Sequence, residues 1–262
     1  MTASTVTGTG VPATQAGYFQ LRAELLGPSR TRLLTGPELI QVGLQVYGAP
    51  AAFSLYGVPA PEMAGCGLRL LGRTAIECTV DAYAAPVAAA LAERVPAAGR
   101  PPLVADLFCG SGNLGRHLAA ALGVRAHASE LDPAVHAATR HNLTALGIDI
   151  DLRLEDYRDL LGRLTPHGPH DTYVVEPPWG PAFTEQGLDL TATAPPVPEI
   201  LADITASRQG APCLIVIKTN DRIAHDSLQR CFAAAEHLAS ITPAPTLPAG
   251  ANMDFHLFRL SA

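Results

Sequence analysis

Lysine is nearly absent from this chain of 262 residues, and no stretch concentrates positive charge. Lys218 is the only lysine among 18 basic residues, and the formal net charge is −6. A protein that binds nucleic acid needs a positively charged footprint. The charge balance therefore argues against a large RNA or DNA substrate.

Long apolar runs and paired cysteines are also missing. No run reaches the roughly 18 apolar residues of a membrane-spanning helix, so we expect no membrane segment. The first residues lack the basic start and the apolar core of a signal peptide. The 5 cysteines are scattered without Cys-x-x-Cys spacing. Such a set favours reduced thiols in the cytoplasm, and we expect no zinc or other metal site.

The stretch Val104–Gly115 is the most informative part of the chain. An apolar run that contains one acid ends at Phe108, and three glycines fall within residues 109–115. A helical pattern begins at Leu114. Strand, glycine turn and helix in this order are typical of a nucleotide-binding βα unit. Because glycine has no side chain, the backbone of the turn can approach a ligand closely.

Strand and helix patterns alternate from residue 103 onward. The predicted strands cover 103–108, 124–129, 150–154, 172–175, 213–218 and 255–260. The predicted helices cover 114–122, 133–146, 197–207 and 225–239. This alternation predicts an α/β fold with a parallel sheet that is covered on both faces.

Residues 1–98 show a less regular pattern. Residues 1–14 are small and polar, which predicts a disordered tail. The further predicted elements are a helix within 15–35 that ends at Gly27-Pro28, a helix at 37–47, a strand or pocket-lining loop at 51–56, a hairpin over 68–80 that turns at Gly72-Arg73, a helix at 83–95 capped by Asp81, and a linker at 96–102.

Three carboxylates stand at or near the ends of successive predicted strands, namely Asp106, Glu130 and Asp156. In a nucleotide-binding fold, an acid at the second strand end accepts hydrogen bonds from ribose hydroxyls. A pyrophosphate prefers amides and basic residues at the glycine turn, so this set disfavours a dinucleotide. It suits a ligand with a ribose, an adenine and a positive centre. Simpler roles stay open, since Glu130 can cap the helix that begins at Pro133 and Asp156 can be a loop acid.

The fourth strand end carries Glu176, two prolines and Trp179. Two prolines after an acid give a rigid, extended backbone whose carbonyl groups have fixed directions. The carbonyl group of Pro177 can accept a hydrogen bond from a substrate N–H group, while Glu176 accepts a second one. Trp179 is the only tryptophan and offers a stacking surface. A purely structural turn is the alternative.

The glycine motif and the Glu-Pro-Pro-Trp segment together resemble class I S-adenosylmethionine-dependent methyltransferases of the amino-methylating type. The Pro-Pro-Trp form is most similar to trimethylguanosine synthases and guanine-N2 methyltransferases, and the resemblance covers residues 100–260. It implies a Rossmann-like, seven-stranded, mostly parallel sheet with helices on both faces. For the N-terminal residues outside the resemblance, we expect a small α+β extension on the substrate side. The expected division is a tail at 1–14, a substrate-recognition or lid segment at 15–98 and an S-adenosylmethionine-binding domain at 99–262.

The resemblance also implies roles for individual residues, and S-adenosylmethionine as the cofactor. The expected catalytic residues are Glu176, Pro177 and Trp179. The expected cofactor-binding residues are Asp106, Phe108, Gly110, Ser111, Gly112, Asn113, Glu130, Leu131, Asp156 and Tyr157. The expected substrate-binding residues within the resemblance are Trp179, Lys218 and Asn220. Outside it, we expect the N-terminal aromatic residues Tyr18, Phe19 and Tyr56 to contact substrate, with a place in the apolar core as the alternative.

Glu176 departs from the resembled family, which has Asp, Asn or Ser at this position. The longer side chain favours a smaller substrate, a displaced acceptor atom or a true general base. With the missing basic footprint, this favours nitrogen methylation of a small heteroaromatic metabolite in specialised metabolism such as antibiotic biosynthesis, by a cytoplasmic monomer or homodimer. Methylation of carbon or oxygen, methylation of a guanine amine in RNA, and a non-catalytic binding protein are the alternatives.

Overall fold

The computed structural model describes residues 15–244, 247 and 251–261. The predicted tail at 1–14 lies outside the described residues. The N-terminal segment forms short elements, and the bounds are α1 Gln15–Leu26, α2 Gly36–Tyr47, β1 Ser54–Leu55, β2 Val58–Pro59, α3 Ala60–Met63, α4 Gly72–Glu77 and α5 Asp81–Ala92.

The rest of the chain alternates between strands and helices. The bounds are β3 Val104–Asp106, α6 Asn113–Leu122, β4 Ala126–Glu130, α7 Pro133–Ala145, β5 Ile150–Leu154, α8 Tyr157–Arg163, β6 Thr172–Val175, β7 Phe183–Thr184, β8 Gly187–Leu188, α9 Val197–Ser207, β9 Cys213–Asn220, α10 His225–Cys231, β10 Ala235–Ile241 and β11 Met253–Leu260.

Seven of these strands form one sheet in the order β10-β11-β9-β6-β3-β4-β5. The pairs β6/β9, β3/β6, β3/β4 and β4/β5 are parallel, whereas β11 is antiparallel to both of its neighbours. The chain runs outward from β3 to β5 and then returns to β6 on the other side of β3. Ligands of open α/β sheets bind at such a reversal, at the carboxyl ends of the strands. The predicted α/β sheet is confirmed.

Side chains of the sheet alternate between two apolar cores. On β9, Leu214 and Val216 belong to the core shared with α5, α6 and the N-terminal segment. Ile215 and Ile217 belong to the core under α8 and α9. Successive strand residues point to opposite faces, and strands buried on both faces are apolar throughout. The sheet is therefore covered on both sides, as predicted.

The predicted hairpin over 68–80 is wrong, because residues 72–77 form α4. A Cβ atom on Gly72 would lie 2.3 Å from the carbonyl oxygen of Ser29, so α4 packs directly against the end of α1. This tertiary contact overrides the strand-like composition. The predicted cap is also wrong, since Asp81 begins α5 and Val80 precedes it as the N-cap residue.

The predicted helix at 225–239 is wrong in its second half. The helix α10 ends at Cys231, and β10 pairs antiparallel with β11 from Ala235 onward. Pairing with an exposed sheet edge outweighs the helix propensity of the alanine-rich sequence. The helix α8 and the short hairpin of β7 and β8 were not predicted, because each is too short to show a period. In the described part of the chain, no helix is long and apolar enough to span a membrane.

Gly43 and Gly162 provide a test of the packing of the N-terminal segment. Both lie within helices, but a Cβ atom on Gly43 would lie 2.4 Å from the carbonyl oxygen of Pro50, and one on Gly162 would meet no atom within 4 Å. We expect Gly43→Ala to lower the free energy of unfolding by about 1–3 kcal/mol through overpacking. Gly162→Ala should raise it by about 0.5–1 kcal/mol. Urea unfolding measures both, and equal effects would contradict the packing described.

Candidate active site

A cavity of about 510 Å³ lies at the carboxyl ends of the central strands. Its floor consists of the segments that follow β3, β4, β5 and β6, together with Lys218 on β9. Its roof consists of α1, α4 and the residues next to them. The N-terminal segment and the sheet therefore enclose one space, which lies where the strand order reverses.

The glycine turn after β3 is shaped by two residues in the left-handed region. Gly110 has φ +51° and Gly112 has φ +70°. Below the turn, the carboxylate of Asp106 accepts a hydrogen bond from the amide of Gly115 at 3.2 Å. A Cβ atom on Gly115 would lie 2.7 Å from that carboxylate, so only glycine permits this contact.

Asp106 is buried, and it supports the turn from below rather than lining the cavity. Burial raises the pKa of its carboxyl group to about 7, and the negative charge of Glu176 contributes to the increase. A carboxylic acid with this pKa changes its charge near neutral pH.

Glu130 connects the glycine turn to the beginning of α7. Its carboxylate accepts hydrogen bonds from the amides of Gly110 at 3.1 Å and Asp132 at 2.8 Å. Asp132, not Glu130, caps α7 by accepting from the amides of Ala134 and Val135. Burial raises the pKa of Glu130, which lines the cavity. The capping alternative for Glu130 is therefore wrong, since Asp132 occupies the N-cap position of α7.

The residues after β5 combine a local structural role with a place in the cavity wall. Asp156 caps α8 by accepting from the amide of Arg158 at 2.9 Å, and it also lines the cavity. The rings of Phe108 and Tyr157 lie beside it, with centroids 5.1 Å apart. Leu131 adds an apolar side chain that is 67% exposed. This end of the cavity offers an acid, two rings and an apolar surface.

Glu176 follows β6 and is paired with the only lysine. The ammonium group of Lys218 donates to the carboxylate of Glu176 and, at 2.7 Å, to the main-chain oxygen of Glu77 at the end of α4. Burial raises the pKa of Glu176, and the positive charge of Lys218 opposes the increase. The side chain of Lys218 is 2% exposed and that of Glu176 is 21% exposed. Lys218 therefore lies behind a carboxylate that a ligand can reach.

Trp179 lies close to Phe183, with ring centroids 6.1 Å apart. Both rings line the cavity with Pro177 and Glu176. An aromatic surface next to a held carboxylate can stack a flat ligand and accept a hydrogen bond from its edge. The cavity therefore has a second end that differs from the glycine turn.

The structure brings most of the predicted site residues together. Those that line the cavity are Phe108, Gly110, Ser111, Glu130, Leu131, Asp156, Tyr157, Glu176, Pro177, Trp179 and Lys218. Those that lie outside its wall are Asp106, Gly112, Asn113, Asn220, Tyr18, Phe19 and Tyr56.

The residues outside the wall have other contacts. Tyr56 donates from its hydroxyl group to the carbonyl oxygen of Ser111, and so supports the glycine turn from outside. The side chain of Asn220 hydrogen-bonds with the backbone of Arg222 and Asn252. Tyr18 is buried in the core, and Phe19 is 41% exposed. These positions correct the expectation that Asn220 and the N-terminal aromatic residues contact substrate directly.

The N-terminal segment contributes wall residues that the sequence patterns did not reveal. They are Arg22, Leu26, Arg30, Arg73, Thr74, Ile76, Glu77, Cys78 and Thr79. The hydroxyl group of Thr79 is buried and has no hydrogen-bond partner among the described residues. No motif marks these residues, because their place depends on how α1 and α4 pack over the sheet.

Asp81 attaches this segment to the glycine turn. Its carboxylate accepts hydrogen bonds from Ser54 at 2.5 Å, from the amide of Gly57 at 2.8 Å and from Asn113 at 2.9 Å. A ring nitrogen of His117 lies 2.8 Å from the same carboxylate. Asp81 thereby connects β1 and the turn after it with the beginning of α6, which follows the glycine turn.

Comparison with protein-family models gives no match, and comparison with curated proteins gives none. Several solved structures are similar in fold. The rRNA methylase from Streptococcus thermophilus is 16% identical over 68% of this chain and 95% of that chain, with a TM-score of 0.44. Magnesium protoporphyrin IX methyltransferase (ChlM) from Synechocystis PCC 6803 with bound SAM is 14% identical over 68% and 78%, with a TM-score of 0.46. TrmN from Thermus thermophilus is 18% identical over 77% and 53%, with a TM-score of 0.49. At such identities, the likeness extends to the fold alone.

The raised pKa of Asp106 predicts a characteristic dependence of stability on pH. An unfolded chain releases an aspartate proton near about pH 4, whereas the native state keeps it up to about pH 7. The free energy of unfolding should therefore fall between about pH 4 and pH 7, by up to about 1.4 kcal/mol per pH unit.

Asp106→Asn keeps an acceptor for Gly115 and removes this proton. Urea unfolding measures the free energy of unfolding of both proteins. The wild-type value minus the value of the variant should fall as the pH rises from about 4 to about 7. Asp159→Asn, at an exposed position on α8, is the control. Parallel curves for wild type and Asp106→Asn would show that folding leaves the pKa of this carboxyl group unchanged.

Proposed function

We propose that this protein is an S-adenosylmethionine-dependent methyltransferase that methylates a nitrogen atom of a small heteroaromatic molecule. One observation carries the proposal. A single cavity joins the glycine turn after β3 and the acid Glu130 at the end of β4 to a Glu-Pro-Pro-Trp segment after β6, the other neighbour of β3. The first half suits a nucleoside cofactor, and the second half suits a flat acceptor.

The chemistry of the cavity supports this cofactor. A volume of about 510 Å³ is in the range of small-molecule sites. Glu130 offers a carboxylate to ribose hydroxyl groups, and Leu131 and Tyr157 offer surfaces to an adenine. The buried hydroxyl group of Thr79 gains a partner if a polar ligand group lies against it. S-adenosylmethionine supplies a methyl group that is already activated by a sulfonium centre, whose positive charge suits an acidic wall.

The chain's own residues then have to orient the acceptor. Trp179 stacks a ring, the carbonyl group of Pro177 accepts from an N–H group, and Glu176 accepts from a second. Because Lys218 donates a hydrogen bond to the carboxylate of Glu176 and fixes its direction, we infer that Glu176 acts mainly by positioning. Correct orientation contributes much of the rate of a displacement reaction. The proton that the acceptor nitrogen loses passes to Glu176 or to water.

The charge of the chain supports a small acceptor rather than an RNA. The formal net charge of −6 gives little attraction to a polyanion. The longer side chain at Glu176 also leaves less room than an aspartate. The role we infer is therefore the methylation of a metabolite, in specialised metabolism such as antibiotic biosynthesis.

Calorimetry with S-adenosylhomocysteine tests the cofactor half of the site. We expect the wild type to bind, and Glu130→Gln to weaken binding by roughly tenfold because a charged acceptor for two hydroxyl groups is lost. Glu176→Gln should bind within about twofold of the wild type, since its contacts belong to the acceptor. Absence of a binding heat for the wild type at high protein concentration would contradict the proposal.

Methyl transfer tests the acceptor half. Incubation with labelled S-adenosylmethionine and a metabolite extract, followed by mass spectrometry, should reveal a product that carries the label on nitrogen. Glu176→Ala should lower turnover by at least about a hundredfold while cofactor binding persists. Turnover equal to that of the wild type would exclude Glu176 from the reaction.

Lys218 provides a further test through the pH dependence of turnover. Removal of its charge in Lys218→Met leaves the burial that raises the pKa of Glu176 without the opposing effect. The pH below which kcat/KM falls should therefore move upward, and Lys218→Arg should restore most of the shift. A purely structural role for Lys218 would lower the rate equally at all pH values.

A further inference from the structure

The hairpin of β7 and β8 follows Trp179 and is packed on the segment after β9. The amide of Leu188 donates a hydrogen bond to the carbonyl oxygen of Arg222 at 2.8 Å. Gly187 has φ +109°, and a Cβ atom there would lie 1.9 Å from the same oxygen. Only glycine permits so close a contact, so the position of the hairpin is closely defined.

The side chain of Arg222 holds Phe183, the first residue of this hairpin. Its guanidinium group donates to the carbonyl oxygen of Glu185, in the turn of the hairpin, at 2.5 Å. Its Cζ atom lies over the ring of Phe183, 5.7 Å from the centroid. A cation over the face of an aromatic ring is attracted by the ring electrons. Phe183 lines the cavity and Arg222 does not, so Arg222 supports the ring from outside the cavity.

Asn220 fixes the backbone of Arg222. Its side chain accepts a hydrogen bond from the amide of Arg222 at 2.9 Å and donates one to the carbonyl oxygen of Asn252 at 3.0 Å. Asn220 is thus connected to the cavity wall through Arg222 and Phe183, although it does not line the cavity itself.

Phe183 and Trp179 form an aromatic corner in the cavity wall. Their ring centroids are 6.1 Å apart, and their planes are inclined by 40°. A flat ring that stacks on Trp179 therefore cannot lie flat on Phe183 as well, and it meets Phe183 with its edge. Phe183 offers that edge only carbon atoms, so a charged group placed there would lose water without gaining a hydrogen bond. Farther along the chain, Ala194 and Pro195 add further apolar wall.

We propose that Phe183 determines which acceptor is methylated, by packing against the carbon edge of the ring that Trp179 stacks. The inference rests on the proposed function. It narrows the acceptor to a fused heteroaromatic compound, with a nitrogen-containing ring toward Glu176 and a carbocyclic ring toward Phe183. Arg222 is a positioning residue, because it acts on the acceptor only through Phe183. A nucleotide fits this wall less well, since its ribose and phosphate are polar.

Binding of quinoline and pyridine to the complex with S-adenosylhomocysteine tests this inference, because quinoline adds a carbocyclic ring to pyridine. Proton NMR titration of each probe measures the affinities. The wild type should bind quinoline at least about tenfold more tightly than pyridine, since more apolar surface is buried. Phe183→Ala should reduce this ratio to about threefold or less. Phe19→Ala removes a phenylalanine that is 41% exposed and outside the cavity wall, and it should leave the ratio unchanged.

Two further measurements separate positioning from general stability. Arg222→Met should lower the ratio by about twofold, since one exposed cation–π contact is weak, and Arg222→Lys should restore most of it. The fluorescence of Trp179, the only tryptophan, should shift to longer wavelength in Phe183→Ala without any ligand, because the neighbouring ring no longer shields it from water. Phe183→Leu keeps an apolar side chain and should give an intermediate ratio, which replaces the alanine variant if that variant does not fold.

Several results would overturn the inference. One is no binding of quinoline to the wild type, or the same ratio in the wild type and Phe183→Ala. Another is a loss of S-adenosylhomocysteine affinity in Phe183→Ala, which would assign this ring to the cofactor. A third is tighter binding of guanosine 5′-monophosphate than of quinoline, which would indicate a nucleotide acceptor. Failure of the wild type to bind S-adenosylhomocysteine, measured first, counts against the proposed function instead.

Discussion

The carboxylate of Asp81 is the interaction on which the site depends. It collects donors from β1, from the turn after it and from α6, and thereby fixes the N-terminal segment against the glycine turn. Asn113 extends the contact by donating to the carbonyl oxygen of Thr79 and accepting from the amide of Tyr56. These contacts join β1, α5 and the beginning of α6, next to the cavity that α1 and α4 cover.

The acidic residues in and below the cavity differ in how deeply they are buried. Asp106 lies deepest and supports the glycine turn, with a pKa near neutrality. Glu130 and Glu176 are partly reachable, and each is held by fixed donors from the protein. A carboxylate that protein donors already hold in place needs little reorganisation when a ligand binds. Such preorganisation is the condition for effective electrostatic stabilisation.

The sequence allowed the sheet and the floor of the site to be predicted, and physical reasons explain why. Strands buried on both faces are read directly from apolar runs, and a glycine turn between a strand and a helix has few other uses. Glu130 and Glu176 follow such runs, so their meeting at one edge follows from parallel strands alone. Lys218 is predicted for the same reason, although its partner is not.

The roof could not be predicted, because nothing periodic specifies it. The helix α4 has six residues and is held by Gly72 against α1, a contact between distant parts of the sequence. Arg22, Arg30 and Thr79 reach the cavity only through that packing. The same limit explains β10, where pairing with β11 decides the structure of an alanine-rich stretch. Sequence patterns identify helices and strands whose apolar residues recur at the period of the element. They fail where a tertiary contact determines the secondary structure.

The place of the only lysine has a consequence for the chemical reactivity of the chain. The single side-chain amine lies at the acceptor end of the cavity, behind a carboxylate, and is 2% exposed. Reagents that acylate or crosslink lysine side chains therefore have one lysine target, and its burial restricts their access to it. The rate of that modification, compared with and without a bound ligand, therefore reports how far the ligand covers this amine.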